Sequence, residues 1–140
     1  MYQDWFPAIP ELIAATKEAD ILTTDLYDRI PTQPWSQHNV TLLGDAAHPM
    51  LPTMGQGACT ALEDAYVVGK CLQHSEPTAA FQQYESLRFG RTQAIVEQSL
   101  QASKMGELTH PLAVKLRNIS MKFMRSAISN SFKSLHAYRA

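Results

Sequence analysis

The run from Val40 to Ala65, VTLLGDAAHPMLPTMGQGACTALEDA, asks the backbone for three conformations in quick succession. Val40, Thr41, Leu42 and Leu43 form a short β-prone apolar run, expected to be a buried strand, and Gly44-Asp45 ends it with a turn and a carboxylate. Pro49, Pro52, Gly55 and Gly57 then exclude both a helix and an interior strand, so the connection is a shaped loop. After Gly57 the residues Ala58, Ala61, Leu62, Ala65, Val68, Gly69 and Leu72 recur at helical spacing and predict the apolar face of a helix.

Strand, loop and helix start make a ligand platform, because in open α/β sheets ligands sit beyond the carboxyl end of a strand, where the N–H groups of the next helix point outward. Gly55 and Gly57 carry no Cβ, so a flat or phosphorylated ligand can approach the main chain closely. The helix start, with roughly half a positive charge, favours an anion or developing negative charge. Asp45 has a different task. A carboxylate at a strand end accepts hydrogen bonds from hydroxyls, such as those of a sugar or a ribityl chain.

The spacing of GDAAHP, PTMGQGA and ALEDA resembles the C-terminal flavin motif of the class A flavoprotein monooxygenases, the para-hydroxybenzoate hydroxylase type, with zeaxanthin epoxidase-like and salicylate or urate hydroxylase-like members. The resemblance takes in WFPAIPELIAATKEADILTTDLYDRIPTQPW and YESLRFGRTQAIVEQS, and so most of residues 5 to 106. It implies that Gly44-Asp45 meets the ribityl chain of FAD through Asp45. It also implies that Pro52 lies beside the reacting edge of the isoalloxazine and the substrate, and that the backbone amides of Gly55, Gln56, Gly57 and Ala58 meet the pyrimidine end. Catalysis on this reading belongs to the cofactor, so flavin-positioning residues are named and no acid/base pair is.

The implied parent activity is an FAD-dependent, NAD(P)H-consuming monooxygenase. Oxygen adds to the reduced flavin to give a C4a-hydroperoxide, which hydroxylates or epoxidises a small apolar or aromatic substrate. The implied fold class is α/β: the C-terminal fragment of a Rossmann-like FAD domain plus pieces of a substrate domain, mostly helical within this chain, with two short strands. No Gly-x-Gly-x-x-Gly occurs, and nothing resembles the family's mid-chain flavin and pyridine-nucleotide motif. The chain is therefore expected to be an incomplete enzyme, inactive alone, whose N-terminal FAD-binding part a separate chain would have to supply. A noncatalytic remnant, or a helical binding module that keeps the motif, is the alternative, and bound flavin separates the two. A hydrolase is disfavoured, since Gly-x-Ser-x-Gly is absent and Ser36 has no recognisable partner.

Residues 1–35 are assigned to the end of the substrate domain, 36–106 to the C-terminal part of the FAD domain, and 107–140 to a basic helical tail. Within the first, a helix is expected from Pro7 to Lys17, with Pro10 in its first turn, and a strand from Ile21 to Tyr27. Ser75 and Pro77 start a helix carrying Phe81, Tyr84, Leu87, Arg91 and Ile95, antiparallel to the one before it. Thr109 and Pro111 start another, with Leu112, Leu116, Ile119, Phe123 and Ala127 on one stripe.

Charge divides unevenly along the chain. Residues 109–140 hold six bases and no acid, while the preceding part holds 13 acids against six bases, which together give the net −1. The basic tail helix is expected to pack on the rest of the protein in preference to a membrane surface, and no nucleic-acid partner is implied. No apolar run approaches the ~20 residues that span a bilayer, and a cytoplasmic setting is the default. Cys59 and Cys71 are too far apart on one helix for a bridge and lack metal-ligand spacing, so both are read as reduced thiols in packing roles. Trp5, Phe6 and Trp35 are read as packing residues. His48 is read as a structural neighbour of the motif, neither general base nor metal ligand. One of Glu63 and Asp64 is expected to pair with Arg88 or Arg91, ahead of any contact of those arginines with cofactor phosphate.

Overall fold

A computed structural model describes residues 5–124 together with 129, 130, 133 and 137. Within residues 5–124 four α-helices run in order: α1 (Ala8–Ala15), α2 (Gly57–Leu72), α3 (Pro77–Gly106) and α4 (Pro111–Phe123). The same span holds a two-residue hairpin, β1 (Ser36–Gln37) with β2 (Val40–Thr41), and single 3-10 turns at Glu18–Asp20, Gly44–Ala46 and Pro52–Met54.

Proline sets the helix starts. Pro77 and Pro111 each occupy a first-turn position, where the missing N–H costs nothing, and neither helix has a side-chain cap. The expected helix at Pro7 to Lys17 is present as Ala8–Ala15, with Pro10 inside its first turn. Residues 73–76 connect α2 to α3 and return the chain, so Thr60, Asp64, Val67 and Cys71 of α2 face Ala80, Tyr84, Arg88 and Thr92 of α3. The apolar core is small: Trp35, Ala47, Val67, Cys71, Ala80 and Tyr84, backed by Val68 and Phe89.

Several expectations are corrected. Ile21 to Tyr27 is not a strand: it joins no ladder among the described residues, the Ile21 N–H instead donates to Glu18 O at 3.1 Å, and Leu22 is 91% exposed. Alternation makes a segment fit a sheet, but a strand exists only where a neighbour accepts its ladder. Val40 to Leu43 is not a buried strand. Val40 and Thr41 pair antiparallel with Gln37 and Ser36, the Leu42 N–H adds one bond to Trp35 O, and Val40, Leu42 and Leu43 are exposed. Among the described residues there are two short strands, as expected, with Ser36–Gln37 in place of Ile21 to Tyr27.

Most of the apolar stripe of α2 is likewise turned away from its partner, although Val68 packs on the core and Ala61 is half-buried. Leu62 is 72% exposed, and Ala65, Gly69 and Leu72 are exposed too, because the side facing α3 is the one that carries Thr60 and Asp64. Leu112, Leu116, Ile119 and Phe123 of α4 are also exposed, so that stripe does not pack on the described residues, and Ala127 lies outside them. Cys71 is buried and packs as expected, whereas Cys59 is exposed. Trp35 packs, while Trp5 and Phe6 are exposed.

Candidate functional site

Two turns and one helix start build the site. The first turn, Gly44–Ala46, requires glycine twice over: Gly44 has φ +58°, and a Cβ there would lie 3.2 Å from the Cβ of Ala61. Its carbonyl accepts the N–H groups of Ala47 and His48, both at 2.9 Å. Asp45, next in line, is exposed, and a Cβ added to Gly57 would stand 3.7 Å from its Oδ1. The structure thus brings the carboxylate of the first turn beside the start of α2.

The second turn, Pro52–Met54, is closed by the N–H of Gly55 donating to Pro52 O at 2.9 Å, with Gly55 at φ +61° and open space where its Cβ would be. Thr53 Oγ1 donates to Ser99 O of α3 at 2.6 Å and anchors this turn. Helix α2 follows directly. Gln56, its N-cap, makes no side-chain cap, and the N–H of Thr60 bonds to Gln56 O at 2.9 Å. The N–H groups of Gly57, Ala58 and Cys59 therefore precede the first intrahelical bond and remain as outward donors. Asp45, Pro52, Gly55 and Ala58 are exposed, Gln56 and Gly57 half-buried, and Gly44 buried behind them.

Beneath the first turn lies a buried charged cluster. Asp64 Oδ2 accepts the backbone N–H of Gly44 at 3.0 Å and His48 Nε2 at 2.5 Å, while Oδ1 accepts Arg88 Nε at 2.7 Å. His48, Asp64 and Arg88 are fully buried. Arg88 also meets Glu63 Oε2 at 2.8 Å, and Arg91 grips Glu63 through two bonds of 2.8 and 2.7 Å. The sequence leads us to expect one pair between these carboxylates and Arg88 or Arg91, and the structure goes further, pairing both arginines with the carboxylates of α2. Burial alone would push the Asp64 carboxyl up, but the hydrogen bonds from His48, Arg88 and the Gly44 N–H outweigh it and hold it below the usual range. Glu63 is held down in the same way, with Arg91 and Arg88 overcoming its desolvation. Burial and the nearby Asp64 push the Tyr84 phenol up, and its hydroxyl donates to Leu42 O at 3.2 Å.

Other supports had no signal in the sequence. Arg29 Nη2 donates to Ala46 O at 2.9 Å and lies 3.3 Å from Ala47 O, so it steadies the first turn from the far side. The Trp35 ring lies 5.6 Å from that of His48, and the backbone N–H of Trp35 donates to Glu85 Oε2 at 3.0 Å. Nothing in an isolated arginine or glutamate announces a bond to backbone 17 or 50 positions away. A cavity of about 650 Å³ opens behind the second turn, between α3 and α4, with Met54, Ala102, Met105, Arg117 and Met121 on its walls.

Comparison with known proteins decides the family. The model of an FAD binding domain family matches residues 14–99, more than half of the chain. The chain belongs to that family. Among its relatives, the aurachin C monooxygenase/isomerase of Stigmatella aurantiaca is 40% identical over 126 residues, covering 89% of this chain and 33% of its own length. The 3-hydroxybenzoate 6-hydroxylase of Klebsiella oxytoca is 43% identical over 99 residues, covering 68% and 24%. The solved structure of Klebsiella pneumoniae HpxO complexed with FAD and uric acid superposes with a TM-score of 0.78 at 26% identity, over 92% of this chain and 34% of that one. This FAD-binding monooxygenase family chain therefore spans about a third or less of the length of these relatives. The α/β family assignment stands on the same findings.

Proposed function

We propose that the chain forms the isoalloxazine- and ribityl-facing platform of an FAD-dependent monooxygenase. The observation that carries this is the placement of the exposed Asp45 carboxylate beside the uncapped start of α2. Asp45 accepts hydrogen bonds from the ribityl hydroxyls, while the turn at Gly55, Gln56, Gly57 and Ala58 presents N–H donors to the pyrimidine end. The partial positive charge of the helix start favours negative charge there, which is where reduced flavin carries it. Gly44 shapes the first turn, and Pro52, exposed on the second, faces the reacting edge and the substrate. The residues present fit the group: Gly55 leaves open space at its Cβ position, and Gly57 leaves room beside Asp45.

When bound, FAD supplies oxygen activation after reduction by NAD(P)H. The chain's own share is to bind, orient and bias charge. Substrates on this reading are small apolar or aromatic molecules, in keeping with the hydroxybenzoate and uric acid named for its relatives. The remaining parts of the cofactor site, above all the one for pyrophosphate and adenosine, come from polypeptide other than residues 1–140. The chain by itself then does not oxidise NAD(P)H. Residues 1–35 belong with the substrate domain, 36–106 with the FAD domain and 107–140 with a basic tail, and the setting is cytoplasmic.

The experiment is a titration of the 15N-labelled chain with riboflavin, which carries the isoalloxazine and ribityl groups without phosphate. Amide shifts clustered at Asp45 and Gly55 to Ala58 are expected. Absence of any shift there at millimolar riboflavin overturns the reading.

A further inference from the structure

We propose that Asp64 is a positioning residue for the platform: its buried carboxylate holds Gly44 in the left-handed conformation and so sets the direction of Asp45. The inference rests on the flavin reading above, but it adds a residue that touches no ligand. Asp64 Oδ2 takes the Gly44 N–H at 3.0 Å, and Gly44 immediately precedes Asp45. A turn residue at φ +58° whose N–H is fixed has little freedom left, and the next side chain departs in one direction.

The carboxylate is itself held from two elements. Arg88 of α3 donates through Nε to Oδ1, and His48, just past the turn, donates through Nε2 to Oδ2. Since a carboxylate oxygen only accepts, Nε2 carries the proton in this contact. Trp35 packs on the His48 ring at 5.6 Å, tilted by 53°, so the histidine cannot swing away without opening the core. The turn is thus locked at both ends, Gly44 directly and His48 through its ring, to one carboxyl group on α2.

A stabilising role alone is a poor account of this arrangement. Buried ion pairs are weak contributors to stability compared with apolar residues of similar volume. Packing α2 on α3 could be done by leucine; accepting the Gly44 N–H could not. What the charge secures is geometry at the turn, which matters because hydrogen bonds to a ligand depend steeply on angle.

The test uses the whole 15N-labelled chain with riboflavin as probe, in Asp64→Asn and Arg91→Gln. Arg91 belongs to the same cluster but does not touch the turn, so Arg91→Gln is expected to lower the melting temperature while leaving every flavin-induced shift intact. Asp64→Asn is expected to reduce the shift at Asp45 severalfold while those at Gly57 and Ala58 persist, and to speed amide exchange at Gly44 about tenfold. Asp45 shifts of wild-type size in Asp64→Asn overturn the proposal and leave the flavin reading standing. If wild type shows no flavin shift at all, the flavin reading falls, and with it any role of Asp64 toward a flavin. Should Asp64→Asn not fold, Asp64→Glu keeps the charge but displaces the carboxylate from the Gly44 N–H, and unchanged Gly44 exchange together with an unchanged Asp45 shift there overturns the proposal.

Discussion

The two turns of the platform lie eight residues apart and are held by different means. Gly44–Ala46 is tied down by a buried carboxylate and an arginine drawn from two helices, by the histidine just past the turn, and from outside by Arg29. Pro52–Met54 depends on one bond from Thr53 to the α3 backbone and on a left-handed glycine. The contrast follows from what each presents. A side chain that must aim, Asp45, needs a fixed base, whereas backbone N–H groups at a helix start are aimed by the helix itself.

The comparison breaks most severely at Arg88. Arg88→Met leaves the Asp64 carboxylate buried without its arginine, which is expected to lower stability by about 3–5 kcal/mol, read from the denaturant midpoint at constant slope. A loss under 1 kcal/mol would mean that the cluster is not what holds the first turn. Gly44→Ala comes next. A left-handed alanine with its Cβ 3.2 Å from that of Ala61 is expected to cost about 1–3 kcal/mol by the same measurement. Gly55→Ala has no such contact and should cost less, through φ alone.

Acid sharpens the contrast without mutation. Asp64 and Glu63 have folded pKa values below their ordinary 3.8 and 4.5, so they bind protons less readily in the folded chain than in the unfolded one. Their stabilisation is present above those ordinary values and is lost as pH falls through the depressed folded ones. A denaturation series from pH 6 down to about 2 should lose stability mainly below about pH 4.5, and Asp64→Asn should flatten that slope. The smallest effect is at the second turn. Thr53→Val removes one partly exposed hydrogen bond and is expected to cost about 1 kcal/mol, with the Gly44 amide exchanging as in wild type.

How far this could be read in advance follows the same division. The α2–α3 hairpin was legible because Pro77 and a short connection are local signals, and its ion pairs were legible because Glu63-Asp64 and Arg88/Arg91 must meet once the helices are antiparallel. The face of α2 was misread. Counting apolar residues put Leu62 and Leu72 inward, but Asp64 takes that side because its hydrogen-bonded partners lie there: Arg88 of α3, the Gly44 N–H and His48. The strand at Ile21 to Tyr27 failed for a different reason: its alternation is a property of the segment, while pairing is a property of a neighbour, and the described residues offer none. The seven candidate site residues sit on the two turns and the helix start, where their glycines and prolines placed them.

The most direct test of the flavin platform is the affinity of the chain for FAD with and without the Asp45 carboxylate, followed by flavin fluorescence. Asp45→Ala removes an exposed side chain, so its melting temperature should stay at the wild-type value. Losing charge-assisted hydrogen bonds worth about 1.5–3 kcal/mol should raise the dissociation constant about 10- to 100-fold. Equal affinities in the two proteins would contradict the assignment of Asp45, and with it the platform.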